Sequence, residues 1–431
     1  MNTFFRKRTI VLLILMTLLI IGPYSDSRVS AIDRGTYKSL RTFSEVLDMV
    51  EKNYVEPVGT EKLMQGAING MIKSLDPHSS FMTAEMFKEL EVETRGSFGG
   101  VGIEITIQKE VLTVVSPIED TPAYNAGVKA GDQIIRIDGK STKDITIQEA
   151  VGKLRGPRDT KVTITIFREG MAKPRDIEIV RSTIKVRSIK SRVYDDHIGY
   201  IRIAAFQERT ADDLKKAIRE VEAKGHPLKG IVLDMRNNPG GLLNQSVDVS
   251  DALLKSGLIV STRGRSKNME SKSVAKDDGD EPTCPMVVLV NEGTASASEI
   301  VSGALQDNGR ALILGEQTFG KGSVQTIIPL EDGAALKLTT AKYYTPKGRS
   351  IQAEGIMPDI VVKQVRPPEE KNVENHVRER DLKGHIKSPA EDNAKAEEAK
   401  KEKDDLDKDN QLKSAIDILK SWDVLKRNSK G

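Results

Sequence analysis

The stretch Gly230-Ile231-Val232-Leu233-Asp234-Met235, running straight into Arg236-Asn237-Asn238-Pro239-Gly240-Gly241, decides the fold class. Its first half is apolar at consecutive rather than alternate positions, the mark of a strand buried on both faces. Its second half is a turn, because Pro239 and the paired glycines favour neither strand nor helix. The pattern recurs downstream. Pro285-Met286-Val287-Val288-Leu289-Val290 is another buried strand, and the small-residue run Gly293-Thr294-Ala295-Ser296-Ala297-Ser298 leads into a helix. With Gly199-Tyr200-Ile201-Arg202-Ile203 as a strand and a charged amphipathic helix over 210–224, residues 184–364 alternate strands and helices and predict an α/β layer. Residues 262–283 read as a polar excursion from it.

The 431 residues allow several domains. With 66 Lys+Arg against 63 Asp+Glu, the net charge of +3 gives no bulk basic face for nucleic acid. A single cysteine, Cys284, excludes an internal disulfide framework and multi-cysteine metal sites, and the five histidines share no ligand spacing. No metal or cofactor is expected. At the N-terminus, Arg6, Lys7 and Arg8 precede an apolar run from Ile10 to Ile21, ended by Gly22-Pro23 and followed by Val29-Ser30-Ala31. The run falls short of the roughly 20 residues of a membrane span. Residues 1–31 therefore read as a cleaved secretory signal or a retained anchor, and either way the remainder lies outside the cytoplasm, in a periplasm or on the outer membrane face.

Residues 32–92 read as a helical region. Phe43, Val46, Leu47, Val50 and Tyr54 share one face, and Met64, Ile68, Met71, Ile72 and Leu75 share another, ended by the Asp76-Pro77 break. The pair is either a small core or a dimerisation arm. From 93 to 183 the texture changes to glycine and short alternating strands, with strands at 161–167 and 175–180 and a helix near Gln148–Arg155. The order of these parts resembles a PDZ domain, with Gly100-Val101-Gly102-Ile103 where that family binds a terminal carboxylate. Consecutive backbone N–H groups in such a loop converge on an anion while a peptide adds to the sheet edge. Read alone, the loop is equally a tight turn. Beyond residue 365, Lys, Glu and Asp dominate until a last amphipathic helix (Leu412, Ala415, Ile416, Leu419, Trp422), whose stripe needs a partner in this chain or a second subunit.

Three glycine- or serine-rich loops follow buried strands, where α/β active sites form. The Asn237–Gly241 turn offers backbone N–H groups to an oxyanion, or is only a turn. Asn291–Glu299 carries Thr294, Ser296 and Ser298 at a helix start, as caps or as a nucleophile, and sequence physics does not choose among the three. Gly315-Glu316-Gln317-Thr318-Phe319-Gly320-Lys321-Gly322 matches a phosphate loop until Gly322 replaces the magnesium-binding hydroxyl. On a strand, Lys321, Ser323 and Gln325 share one side, which suggests a lysine positioned by a glutamine. Bringing a lysine from about 10.4 to neutrality at pH 7 costs about 4 kcal/mol, which a dry pocket lined by neighbours such as Phe319 could supply.

Together the segments Arg236–Gly241, Asn291–Ile300, Thr318–Gly322 with Gln325, and Tyr343-Tyr344-Thr345-Pro346 resemble the C-terminal processing peptidases, or tail-specific proteases. The resemblance implies a crotonase-like α/β protease core with an inserted PDZ domain between helical ends. It implies Ser296 as nucleophile, Lys321 as base, Gln325 as the residue orienting the lysine, and the N–H groups of Gly240 and Ala297 as oxyanion hole. It implies a role for Arg155 in holding the PDZ domain in its active position. The expected activity is a serine endopeptidase on proteins with apolar C-terminal tails, without nucleic acid or cofactor, as a homodimer with room for a regulatory partner, touching a membrane only through an uncleaved anchor. A non-catalytic PDZ adaptor and a crotonase-like acyl-CoA enzyme are the rivals. The adaptor has no need of Lys321 and Gln325, and the acyl-CoA enzyme explains neither the signal nor the PDZ-like segment.

Overall fold

The computed structural model describes residues 34–195, 197–224, 227–266, 270–365, 406 and 408–428, with side chains to 422. The signal or anchor and most of the charged 365–410 segment lie outside the described residues. The chain divides into two units, meeting in sequence at Leu75/Asp76.

The first unit holds α1 (Arg34–Asn53) and α2 (Thr60–Lys73). No residue of α1 is buried, and Tyr37, Phe43, Val46, Met49 and Tyr54 are exposed. The expected helical region does not continue unbroken to residue 92. Residues from Asp76 onward belong to the second unit, where β1 (Ser80–Met82) pairs antiparallel with a strand near the chain's other end, Ser80 opposite Lys337. The Asp76-Pro77 break thus opens a strand, not a further stretch of the same helical hairpin. The helix α3 (Ala84–Arg95) follows, its first turn capped by the Thr83 hydroxyl accepting from the Met86 N–H, and left-handed Gly96 ends it.

Next comes a ribbon and a sheet. The ribbon joins β2 (Ser97–Gly100) to β9 (Ser182–Lys185). Between them lie β3 (Ile103–Gln108), β4 (Val111–Pro117), the short α4 (Pro122–Asn125), β5 (Gln133–Ile137), β6 (Lys140–Ser141), α5 (Ile147–Leu154), β7 (Lys161–Phe167) and β8 (Arg175–Val180). The sheet order is β3-β4-β5-β7-β8, with β6 beside β5. Period-2 burial at Val162, Ile164 and Ile166 packs β7 against Ala150 and Leu154 of α5. Thr146 and Glu149 cap α5 reciprocally, and buried Arg181 donates to the carbonyls of Lys153 and Leu154 at its other end.

The core sheet is built from β10 (Ile189–Tyr194), β11 (Ile198–Ile203), β12 (Gly230–Asp234), β15 (Met286–Val290), β16 (Leu312–Gly315) and β19 (Ile360–Val361), in that order; only β10 runs antiparallel. Connecting these are α6 (Thr210–Lys224), α7 (Leu243–Asp251) and α8 (Ala297–Asp307). Consecutive apolar residues serve two faces. Ile231, Leu233, Val288 and Val290 pack with α6, α7 and α8, whereas Val232, Val287 and Leu289 pack with Leu412, Ala415, Ile416 and Leu419 of α9 (Asn410–Asn428). The C-terminal helix therefore finds its partner within its own chain, and each of its buried Leu and Ile side chains contributes about 1.5–3 kcal/mol. The polar excursion folds in part as a hairpin, β13 (Gly257–Gly264) with β14 (Ser271–Ala275). This belongs to another sheet with β1, β17 (Ser323–Pro329) and β18 (Ala335–Tyr344).

One ion cluster anchors α9 to the sheet. Arg236 donates to Asp409 at 2.8 and 2.7 Å and to Asp234 at 3.0 and 2.8 Å. Burial alone would raise the Asp409 carboxyl, but Arg236 outweighs it and holds Asp409 below its usual range. A depressed carboxylate stabilises the fold above its unfolded pKa, near 4, and that contribution is lost as pH falls through the folded value. Asp409→Asn should therefore cost about 2 kcal/mol in urea unfolding at pH 6, and the gap to wild type should close in acid, as pH falls below the unfolded value and through the depressed folded one.

Candidate active site

The strands β12, β15 and β16 are parallel neighbours, Asp234 opposite Leu289 and Val290 opposite Gly315. Their following loops must emerge at one edge, and these are the three glycine- and serine-rich loops. Side chains then stitch them together. The Asn237 N–H donates to Asn291 Oδ1 at 2.8 Å, Asn291 Nδ2 returns to Asn237 Oδ1 at 2.9 Å, and the Ala295 N–H donates to the Asn238 carbonyl at 2.9 Å. From the third loop, the Phe319 N–H donates to the Thr294 carbonyl at 3.0 Å.

Within the second loop the three hydroxyls have different fates. Thr294 Oγ1 donates to the Met235 carbonyl at 2.9 Å and accepts from the Asn291 N–H at 3.0 Å. Ser298 Oγ donates to the Asn238 carbonyl at 3.1 Å. Both are tied to backbone, as capping-type hydroxyls usually are. The Ser296 hydroxyl instead meets the Tyr343 phenol, whose pKa burial raises and this contact restrains. Ser296 also sits at φ 56° and ψ −114°, outside the regions open to an L-residue without strain, a cost of about 1–3 kcal/mol.

Buried Glu299 fixes this geometry, and the sequence reading assigned it no role. Its Oε2 accepts from the Ser296 N–H at 2.7 Å and the Lys321 N–H at 2.9 Å, and its Oε1 from Thr318 Oγ1 at 2.5 Å and the Gly320 N–H at 2.7 Å. The motif spacing of Ser296 and Glu299, three apart at a helix start, was the available signal. The lysine is not placed by strand alternation as expected, because β17 begins only at Ser323 and carries a bulge between Val324 and Gln325. Nor is Phe319 its apolar wall, since that side chain is 64% exposed. Burial lowers the Lys321 pKa, the nearby Lys337 ammonium lowers it further, and Glu299 works against both. His78, read as unattached to any motif, also lies within electrostatic reach of Lys321; burial and then Lys321 depress its pKa. Gln325 Nε2 donates to Ser323 Oγ at 2.9 Å.

Gly240 approaches so closely that a Cβ there would stand 2.9 Å from Ser296 Cβ and 3.0 Å from the Ala297 nitrogen, and its φ is 105°. Only glycine fits. Its N–H, expected to point freely at an anion, instead donates to Asn238 Oδ1 at 2.9 Å. An Asx-type turn thus holds one of the two expected oxyanion donors, while Ala297 provides the first N–H of α8.

The Gly100–Ile103 loop lies apart from these three loops, in an apolar groove of about 80 Å³ lined also by Phe98, Ile105, Val151, Leu154 and Arg155. Gly102, at φ +81°, is forced by Thr121, whose side chain would meet any Cβ at 2.3 Å. The Arg155 guanidinium lies 4.5 Å over the Phe98 ring, at the groove rim. A larger pocket of about 340 Å³, between α6 and the 278–283 loop, is lined mainly by charged side chains and includes none of the three site loops.

Comparison with known proteins finds matches to three families along the chain. Residues 197–362 match peptidase family S41, residues 113–168 match the PDZ domain, and residues 24–86 match the activating protease CtpB N-terminal domain. The carboxy-terminal-processing protease of Bartonella bacilliformis is 50% identical over 392 residues, 90% of either chain. The carboxy-terminal processing protease CtpA of Bacillus subtilis is 38% identical over 346 residues, 80% of this chain and 73% of that one. Among solved structures, the photosystem II D1 C-terminal processing protease is 31% identical over 74% of this chain and 92% of its own, with a TM-score of 0.44. The 50% identity along nine-tenths of the Bartonella protease leaves one assignment: the chain belongs to the carboxy-terminal-processing proteases, the PDZ-bearing serine peptidases of family S41.

Proposed function

We propose that this protease works outside the cytoplasm, captures the apolar C-terminal tail of a protein in the Gly100–Ile103 groove, and cleaves the chain with a Ser296–Lys321 dyad. The observation that carries the reading is the Glu299 carboxylate, which joins the backbone of Ser296 to the loop bearing a lysine of lowered pKa. Ser296 Oγ attacks the scissile carbonyl while neutral Lys321 takes its proton. The tetrahedral oxyanion is held by the Ala297 N–H and by the Gly240 N–H once Asn238 releases it. The lysine then protonates the departing amine, leaving an acyl-enzyme, and water, deprotonated by the same lysine, frees the product and restores Ser296. The bond from Gly240 to Asn238 supports a resting form completed by substrate or by a regulatory protein. The exposed apolar face of α1 supports a homodimer, and the basic and apolar start of the sequence supports export.

An unfolded reporter with an apolar tail, supplied without ATP or metal, tests the chemistry. Ser296→Ala and Lys321→Ala should each lower kcat at least about a thousandfold; full activity in Ser296→Ala would remove the proposed nucleophile.

The base also predicts a pH signature. Activity should rise with pH on a limb below the ordinary lysine range of about 10.4. Because Lys337 is a like charge that depresses Lys321, Lys337→Gln should move that limb to higher pH, with little change in the plateau.

For the groove, Val151→Asp places a charge where the tail's apolar side chains would sit. Its KM for the tailed reporter should rise about tenfold or more, while cleavage of a reporter with an amidated polar tail stays at its wild-type level.

A further inference from the structure

A glutamine that orients a lysine must present its carbonyl oxygen, yet its two amide ends are nearly identical in shape. Neighbouring groups have to decide which end faces which way. Gln325 Nε2 donates to Ser323 Oγ at 2.9 Å and reaches Thr339 Oγ1 at 3.4 Å. Thr339 can accept only if its own proton points elsewhere, and that proton goes to Asp76 Oδ1 at 3.2 Å. Asp76 also accepts from Ser79 Oγ at 2.7 Å, from the Ser79 N–H at 2.9 Å and from the His78 N–H at 2.8 Å. Ser79 Oγ in turn accepts from the Thr339 N–H at 3.1 Å.

An ionised carboxylate only accepts, so both hydroxyls must turn their protons toward Asp76. The direction of donation then runs from Gln325 through Thr339 to Asp76, and the Gln325 nitrogen is committed to that side. Burial would raise the Asp76 carboxyl, but Ser79 and the two N–H groups overcome it, keeping Asp76 ionised at neutral pH.

We propose that Asp76 is a positioning residue of this centre: acting through Thr339, it sets the Gln325 amide with Oε1 toward Lys321, holding the amine for proton transfer from Ser296. The proposal rests on the Ser296–Lys321 reading. The same turn carries His78, so the charged or titratable groups facing Lys321 are His78 from the turn, Lys337 from β18 and Glu299 from α8.

The test uses the full chain and the tailed reporter, with kcat and KM followed against pH and thermal unfolding measured alongside. Asp76→Asn and Thr339→Val should each lower kcat about tenfold to a hundredfold, leave KM within about threefold, and shift the rising limb to lower pH, because a carbonyl oxygen facing the amine favours its charged form. Thr339→Ser, which keeps the hydroxyl, should restore the wild-type profile. In a Gln325→Ala background, Asp76→Asn should have no further effect on kcat. The proposal is overturned if the two losses are additive, if kcat falls only in step with melting temperature while the pH limb stays fixed, or if Asp76→Asn is fully active. Activity lost in Ser296→Ala and Lys321→Ala but retained in Gln325→Ala would defeat this proposal and leave the dyad standing. Activity retained in Ser296→Ala would instead defeat the dyad itself.

Discussion

The site hangs on one buried carboxylate. Glu299 lies on the first turn of α8 and accepts four hydrogen bonds, one from the Ser296 N–H and three from the 318–321 loop. Leaving any of those donors unpaired in the interior would cost about 1–3 kcal/mol. The bonds therefore fix the relation between two loops far apart in sequence. They also hold Ser296 at a positive φ that its own backbone preferences oppose, the kind of local strain a surrounding network must over-determine.

Around that carboxylate the parallel sheet does the coarse positioning. Adjacent parallel strands end at one edge, so three loops meet there without any special contact between them. The finer fit comes from the Asn237–Asn291 pair and from the near approach of Gly240 to Ser296. On the opposite face of the sheet, α9 docks through an apolar stripe and through Asp409, whose partner Arg236 directly precedes the Asn237–Gly241 turn. The C-terminal helix is thus continuous, through one guanidinium, with the loop expected to hold the oxyanion.

The buried strands and the helices between them were legible in the sequence, because a period-2 or all-apolar run admits few packings. Strands 161–167 and 175–180 appear at their expected residues. The hairpin of β13 and β14 was not legible, since β14 is polar and β13 runs from a short apolar stretch into polar residues that pair with the distant β18. The Asp76-Pro77 pair read only as a helix stop, although its carboxylate reaches Thr339 across the fold. Local pattern carries no trace of such a contact.

From the sequence alone came the α/β class and the glycine and serine loops, with Lys321 and Gln325 as candidates within one short segment. Motif chemistry is local, so composition and spacing suffice for that much. The tertiary structure separates Ser296 from Thr294 and Ser298, whose hydroxyls donate to backbone carbonyls. It also exposed Phe319, engaged the Gly240 N–H with Asn238, put His78 within electrostatic reach of Lys321, and joined Asp76 to Thr339. Hydrogen bonds and burial join residues that are distant along the chain, and a sequence records their identity without their proximity.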